Sequence, residues 1–271
     1  MIRADYHVHS CFSSDSETPI KDIIETAISR GFDTICITDH HDIDFPVTDE
    51  GMDFQLDIEK YVAIVSALKD EYKNKITVCM GIEMGLMSHI SEEVKNCVNS
   101  QPFDFVIGSS HLVNKADPYY PEYYEGRTEV EAYRAYFESI LENVKVIKDY
   151  DVYGHLDYVV RYGPTQNKNF KYDDYADIFE AIIKQLITDG KGIEINTGGL
   201  YKKLGYPHPH MDILKRYREL GGEIVTIGSD GHTTDKIGYG FDKAEQYLLE
   251  ADFEYYTIFK DRKPEFRKLG I

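Results

Sequence analysis

Apolar positions along the chain alternate between two patterns. Short continuous runs of strand length give way to longer stretches whose apolar residues recur every three or four positions, the signature of helices with one buried face. Ile2 to Val8 is the first strand-like run. Thr18 then offers an N-cap and Pro19 suits the first helical position. Ile20, Ile23, Ile24, Ala27 and Ile28 follow at helical spacing, and Gly31 ends the helix. The alternation continues with a strand over Thr34 to Thr38, a helix over Leu56 to Tyr72 and a strand over Ile76 to Ile82. A helix over Ile90 to Val98, a strand beginning at Phe105 to Ile107 and a long helix over Glu129 to Lys148 come next. Then follow Val152 to Gly154 (strand), Tyr175 to Thr188 (helix), Gly192 to Ile195 (strand), Met211 to Leu220 (helix), Ile224 to Ile227 (strand) and Lys243 to Glu250 (helix). Seven such βα units predict an α/β fold with a parallel sheet. Strands this short and apolar predict closure into a barrel, with an open doubly wound sheet as the alternative. The aromatic tail from Phe253 to Phe259 is expected to be a last strand or a plug.

Length agrees with this pattern. The 271 residues suit a single barrel domain spanning 1–271, since such barrels run to about 250 residues. The formal net charge of -18 changes the picture more. A chain this acidic repels phosphate backbones, so no nucleic acid polymer is expected as a partner. Most of the excess is a solvated surface, but a site built from carboxylates is also acidic until cations bind. Cys11, Cys36, Cys79 and Cys97 form no C-x-x-C pair and read as free thiols. No signal-like or membrane-length apolar stretch is present, so no membrane partner is expected and a cytoplasmic location fits.

The chemistry lies in where histidines and acids fall. In parallel βα proteins the active site forms at the carboxyl ends of the strands. Those ends carry His7-Val8-His9, Asp39-His40, Glu83, His111, His155 with Asp157 just beyond, Asn196, and Asp230-Gly231-His232. Two histidines two apart on a strand point to one face, so His7 and His9 can reach one ion, and Asp230-x-His232 repeats the spacing. Imidazole with carboxylate suits Zn, Mn or Fe, and a carboxylate such as Glu83 can bridge two ions. Each motif alone is weak: a lone H-x-H is more often a pair of surface or core histidines than a metal site, Asp39-His40 alone could be a helix cap or a salt bridge, and His111 alone a satisfied buried histidine. Collected at one end of successive strands, they predict a site for several metal ions. His41, His89, His208 and His210 read as loop or helix-end residues.

The pieces His7-Val8-His9, Thr38-Asp39-His40, Gly81-Ile82-Glu83, Ser109-Ser110-His111, Gly154-His155-Leu156-Asp157, Glu194-Ile195-Asn196 and Ser229-Asp230-Gly231-His232 resemble the PHP (polymerase and histidinol phosphatase) family over nearly the whole chain. The resemblance implies a distorted (βα)7 TIM-like barrel holding two or three divalent ions. Carried over, one ion would take His7, His9, Glu83 and Asp230, a second Glu83, His111 and His155, and a third His40, His232 and Asp15. Many members have histidine where Asp15 stands; aspartate is a harder ligand that shifts preference toward Mn or Fe. Length and layout, with no polymerase attached, are similar to the histidinol-phosphatase subgroup, whose reaction is hydrolysis of L-histidinol phosphate in histidine biosynthesis.

That resemblance implies a small phosphate ester as substrate and water activated by the metals. Arg161, just past His155, is the candidate cation for the phosphoryl group. Asp157, His232 and a metal-bound water are the candidate proton donors to the leaving group, and Asn196 and Asp42 candidate substrate contacts. The acidic, aromatic run Asp117-Pro118-Tyr119-Tyr120-Pro121-Glu122-Tyr123-Tyr124-Glu125 is a candidate lid. The alternatives are a nucleotide phosphoesterase or nuclease on the same metals, and a noncatalytic metal-binding module.

Overall fold

The computed structural model describes residues 1–46, 51–202 and 204–270. Its elements run β1 (Ala4–Val8), α1 (Ile20–Ser29), β2 (Thr34–Ile37), the two-residue β3 (His40–His41), α2 (Ile58–Tyr72), β4 (Thr77–Gly85), α3 (Ser91–Ser100) and β5 (Phe105–Ser109). They continue with α4 (Glu129–Val146), β6 (Val152–Tyr153), α5 (Ala176–Thr188), β7 (Gly192–Asn196), α6 (Gly198–Tyr201), α7 (Met211–Glu219), β8 (Val225–Gly228), α8 (Phe241–Glu250), β9 (Tyr255–Lys260) and β10 (Lys263–Lys268). Seven parallel strands pair in the order β1-β2-β4-β5-β6-β7-β8, and β3 extends the β4 edge by pairing His40 with Glu83. The first and last of the seven meet through Asp230 N–H to the His7 carbonyl (2.7 Å) and His9 N–H to the Gly231 carbonyl (3.0 Å). The expected parallel barrel is thus nearly closed, and the open-sheet alternative is not what forms.

The helices cover the barrel with the stripes their sequences predict. In α5, Ile178, Phe179, Ile182, Ile183 and Leu186 are buried, a three-four spacing whose burial contributes about 1.5–3 kcal/mol for each large side chain. The capping box predicted by no apolar pattern appears at α4, where Thr128 and Glu131 satisfy each other's backbone N–H. One predicted cap moves. Helix α1 begins at Ile20, and Thr18 does not cap it, because its hydroxyl donates instead to the His232 carbonyl (2.7 Å). Strand β4 runs past the predicted end at Ile82 to Gly85, so Glu83 lies within a strand rather than at its tip.

The register of β1 against β2 shifts between Asp5 and Val8. This bulge lets neighbouring residues serve the barrel interior. Tyr6 packs edge-on against Phe105 (5.2 Å between ring centres) and donates to the Phe259 carbonyl (2.7 Å), while His7 faces the site above. The aromatic tail is both of the things expected of it. Strand β9 pairs antiparallel with β10, and its Tyr256, Thr257, Ile258 and Phe259 are buried beneath the barrel. Arg262 to Asp151 (2.5 Å) and Arg267 to Asp33 (2.5 Å) pin the hairpin to the floor. Gly228 permits the closure above, since a Cβ there would overlap His7. No helix among the described residues is long and apolar enough to cross a membrane.

Candidate active site

Glu83 is the hub of the strand ends. Its Oε2 lies 3.2 Å from His7 Nε2, 3.5 Å from His9 Nε2 and 2.9 Å from His40 Nδ1. Its Oε1 lies 3.3 Å from His111 Nε2 and 3.1 Å from His155 Nε2. Asp230 Oδ1 is 3.5 Å from His9 Nε2. On the rim, Asp15 Oδ2 sits 3.0 Å from His232 Nε2 and 3.7 Å from His40 Nε2. Every residue proposed as a metal ligand from sequence is therefore brought into one cluster. Asp230 adopts a left-handed backbone (φ 55°), which aspartate tolerates better than most residues, and this turn delivers both Asp230 and His232 inward.

The donor set fits divalent cations. The groups His7–His9–Asp230, His40–Glu83–His111 and His9–His40–His232 each offer ligand atoms within 4.8 Å of one another. His40 Nδ1, Glu83 Oε2 and His111 Nε2 are buried without hydrogen-bond partners although they crowd together. Nitrogen and carboxylate lone pairs converging without hydrogen-bond geometry are what ligands to a shared ion present. The far side of several rings is fixed: His7 Nδ1 by Glu194 (2.5 Å), His111 Nδ1 by Asp42 (2.7 Å), and His232 Nδ1 by the Asp230 carbonyl (3.0 Å). Such partners orient ligating imidazoles.

Charges in the cluster are strongly coupled. Burial disfavours the imidazolium of His7, but Glu194 and Glu83 outweigh it and hold the group well above the usual histidine range. Burial, with the nearby His232 and His40, pushes His9 well below it. Burial also opposes the Glu83 carboxylate, yet His7, His40 and His111 keep it well below the usual carboxylate range. Protons on some imidazoles thus supply the positive charge that this many inward carboxylates require, a role that divalent ions fill better.

Beside the cluster opens a cavity of about 420 Å³. Arg161 borders it from the short helical turn Tyr158–Arg161, as the sequence predicts, sandwiched over the rings of Tyr158 (4.6 Å) and Tyr162 (4.7 Å). Its Nη2 donates to the Tyr162 hydroxyl (2.6 Å), while Nε and Nη1 are buried without hydrogen-bond partners. A guanidinium held with free donors is suited to an anion. Sequence reading missed Lys202, whose Nζ lies 3.2 Å from Asp230 Oδ2 in the same cavity. It follows the short α6, and nothing in its local pattern marks it. Asp42, Asp117 and Tyr119 also border the cavity, so part of the candidate lid is in place.

A PHP domain model matches residues 5–198. The chain belongs to the PHP domain family. A histidinol-phosphatase of Lactococcus lactis is 35% identical over 272 residues, covering 100% of this chain and 99% of that protein. A probable histidinol-phosphatase of Clostridium acetobutylicum is also 35% identical, covering 89% of this chain and 90% of that protein. The crystal structure of the Lactococcus lactis histidinol phosphate phosphatase, complexed with zinc, L-histidinol and phosphate, superimposes with a TM-score of 0.88 at 34% identity, over 97% of this chain and 98% of that one.

Two expected site residues of this PHP chain do not reach the cavity. Asp157 is fully buried and accepts from His208 Nδ1 (2.5 Å), the His210 N–H (2.9 Å) and the Tyr206 hydroxyl (3.3 Å). It anchors the loop after α6 and is not placed to protonate a leaving group. His208, read as a loop residue, is itself buried as its partner. Asn196 spends its amide on Glu194 (3.2 Å) and on the Gly198 N–H (2.9 Å) rather than on substrate. Glu194, one step down the same strand face, is the residue that touches the cluster. Asp157→Asn is expected to cost about 1–3 kcal/mol of stability through the network it breaks, readable in urea unfolding. It is also expected to leave the pH dependence of kcat unshifted; loss of the alkaline limb would instead restore Asp157 as the proton donor.

Proposed function

We propose that this protein is a divalent-metal-dependent phosphoric monoester hydrolase that converts L-histidinol phosphate to L-histidinol and phosphate. The observation that carries the reading is the meeting, in one cavity, of the Glu83-centred ligand cluster with the unsatisfied guanidinium of Arg161. Its support from outside the chain is the full-length similarity to a protein whose structure holds zinc, L-histidinol and phosphate. The ions would be held by His7, His9, Glu83 and Asp230, by Glu83, His111 and His155, and by His40, His232 and Asp15. When bound, they supply Lewis acidity toward phosphoryl oxygens and lower the pKa of water.

The chain's own residues do the rest. Arg161 and Lys202 bind the phosphoryl oxygens and stabilise charge that builds on them. Tyr158 and Tyr162 hold Arg161 in place. Asp42 orients His111, and Glu194 orients His7. Of the side chains considered as proton donors to the leaving alkoxide, Asp157 does not border the cavity, and His232 borders it but has both ring nitrogens committed, Nδ1 at the Asp230 carbonyl (3.0 Å) and Nε2 beside Asp15 (3.0 Å).

The test is phosphate release by metal-loaded protein, comparing L-histidinol phosphate with mononucleotides and simple alkyl phosphates. A kcat/KM at least tenfold higher for L-histidinol phosphate is expected. Treatment with a chelator is expected to abolish turnover, and added zinc or manganese to restore it. Equal or faster hydrolysis of nucleotides would remove the substrate assignment, and turnover indifferent to chelation would remove the metal chemistry.

A further inference from the structure

The phosphoryl end of the cavity is accounted for, but the opposite charge on its wall is not. Asp117 borders the cavity from the loop after β5. Its Oδ1 accepts the Tyr119 N–H (2.7 Å), which fixes the carboxylate within a turn. Among the described residues it forms no ion pair with any lysine, arginine or histidine. The two cations bordering the cavity, Arg161 and Lys202, are turned to Asp230 at 3.7 Å and 3.2 Å. A second, independent observation lies on the same wall. Asp42 is only 3% exposed, and its Oδ2 has no hydrogen-bond partner. A half-buried carboxylate without a counterion is costly to retain; Asp42 already pairs with His111 through Oδ1 (2.7 Å), so on this aromatic wall Asp117 is the carboxylate left without one. Tyr119 meets Tyr162 edge-on at 5.3 Å, and Phe54 and Phe45 complete the surface.

Resting on the phosphomonoesterase reading above, we propose that Asp117 is the specificity-determining residue that recognises a positively charged substituent, an amine or an imidazolium, on the alcohol part of the phosphate ester. The cavity is then bipolar. Arg161 and Lys202 take the dianionic end, Asp117 takes the cation, and the tyrosine and phenylalanine rings pack against the carbon frame and the cation's faces. Burial pushes the Asp117 carboxyl up to about 6, with the Tyr119 N–H, His111 and Arg161 working the other way and Asp42 adding to the rise. This agrees with a group that lacks a counterion until substrate arrives. Discrimination follows from the same fact: a neutral alcohol leaves the Asp117 charge desolvated and unpaired, whereas a cationic one satisfies it.

The test compares Asp117→Asn with the parent protein, both metal-loaded, on four esters: L-histidinol phosphate, its deamino analogue 3-(imidazol-4-yl)propyl phosphate, 2-aminopropyl phosphate and propyl phosphate. For L-histidinol phosphate, kcat/KM is expected to fall roughly 10- to 100-fold, mostly through KM, as for loss of one charged hydrogen bond. For propyl phosphate it is expected to stay within about twofold. If the penalty vanishes with the deamino ester the recognised cation is the amine, and if it vanishes with 2-aminopropyl phosphate it is the imidazole; both results uphold the proposal. Equal losses on propyl phosphate would reduce Asp117 to a structural role, and no loss on any cationic ester would overturn the inference. A parent protein that hydrolyses the alkyl and aminoalkyl esters but not L-histidinol phosphate would refute the substrate assignment alone. The contrast between 2-aminopropyl and propyl phosphate would still decide the role of Asp117.

Discussion

Replacing Glu83 with glutamine is expected to lower kcat on the order of 1,000-fold and to reduce the divalent metal retained after desalting, measured by elemental analysis. The substitution keeps shape and removes charge. It leaves five imidazoles, of His7, His9, His40, His111 and His155, around one neutral carbonyl oxygen and one amide nitrogen that donates instead of accepting. Any two ions sharing Glu83 lose their common ligand together, so metal content should fall by more than one ion per chain. Full metal content together with a rate within tenfold of the parent would show that Glu83 is not the bridge.

The second large effect is expected at Arg161. Arg161→Ala should reduce kcat/KM for the phosphate ester by about 100- to 1,000-fold, while metal content stays at the parent level. The separation matters, because Arg161 touches Asp230 (3.7 Å) and a change there could act through the metals. Arg161→Lys should recover only part of the loss, since an ammonium cannot present the paired donors of a guanidinium stacked between Tyr158 and Tyr162. If Arg161→Ala binds inorganic phosphate as tightly as the parent, the phosphoryl role passes to Lys202 alone.

The ligand cluster was legible in the sequence because strand geometry is simple. Alternation makes His7 and His9 neighbours, and parallel βα order puts every strand end on one side of the barrel. Position near a strand end was a poorer guide for Asp157. His155 and Asp157 are two apart, as His7 and His9 are, but β6 ends at Tyr153, and the chain between them already enters a helical turn. Two-residue spacing then no longer implies a shared face, and Asp157 turns inward to His208. Asn196 was read on the right face but not for its local bonds, which the tight turn into α6 requires. Lys202 could not be seen because its position depends on that turn. The bulge in β1 has no local signature in the sequence, because it lies in the register of β1 against β2 rather than in either strand's own pattern. Strand β10 went unread because five of its six residues are exposed, so no apolar alternation announces it.

The way β1 meets β8 has a consequence for how the molecule assembles. His7 and His9 enter the cluster from the beginning of the chain and Asp230 and His232 from near its end, with more than 200 residues between them. The ions those residues would hold act as staples across almost the entire sequence. Part of the binding free energy of each ion is then free energy of folding. High contact order makes this closure slow, and during synthesis the cluster cannot be completed until the last helix and hairpin are about to emerge. Metal affinity, kinetic resistance to unfolding and catalytic competence would therefore arise in a single late event.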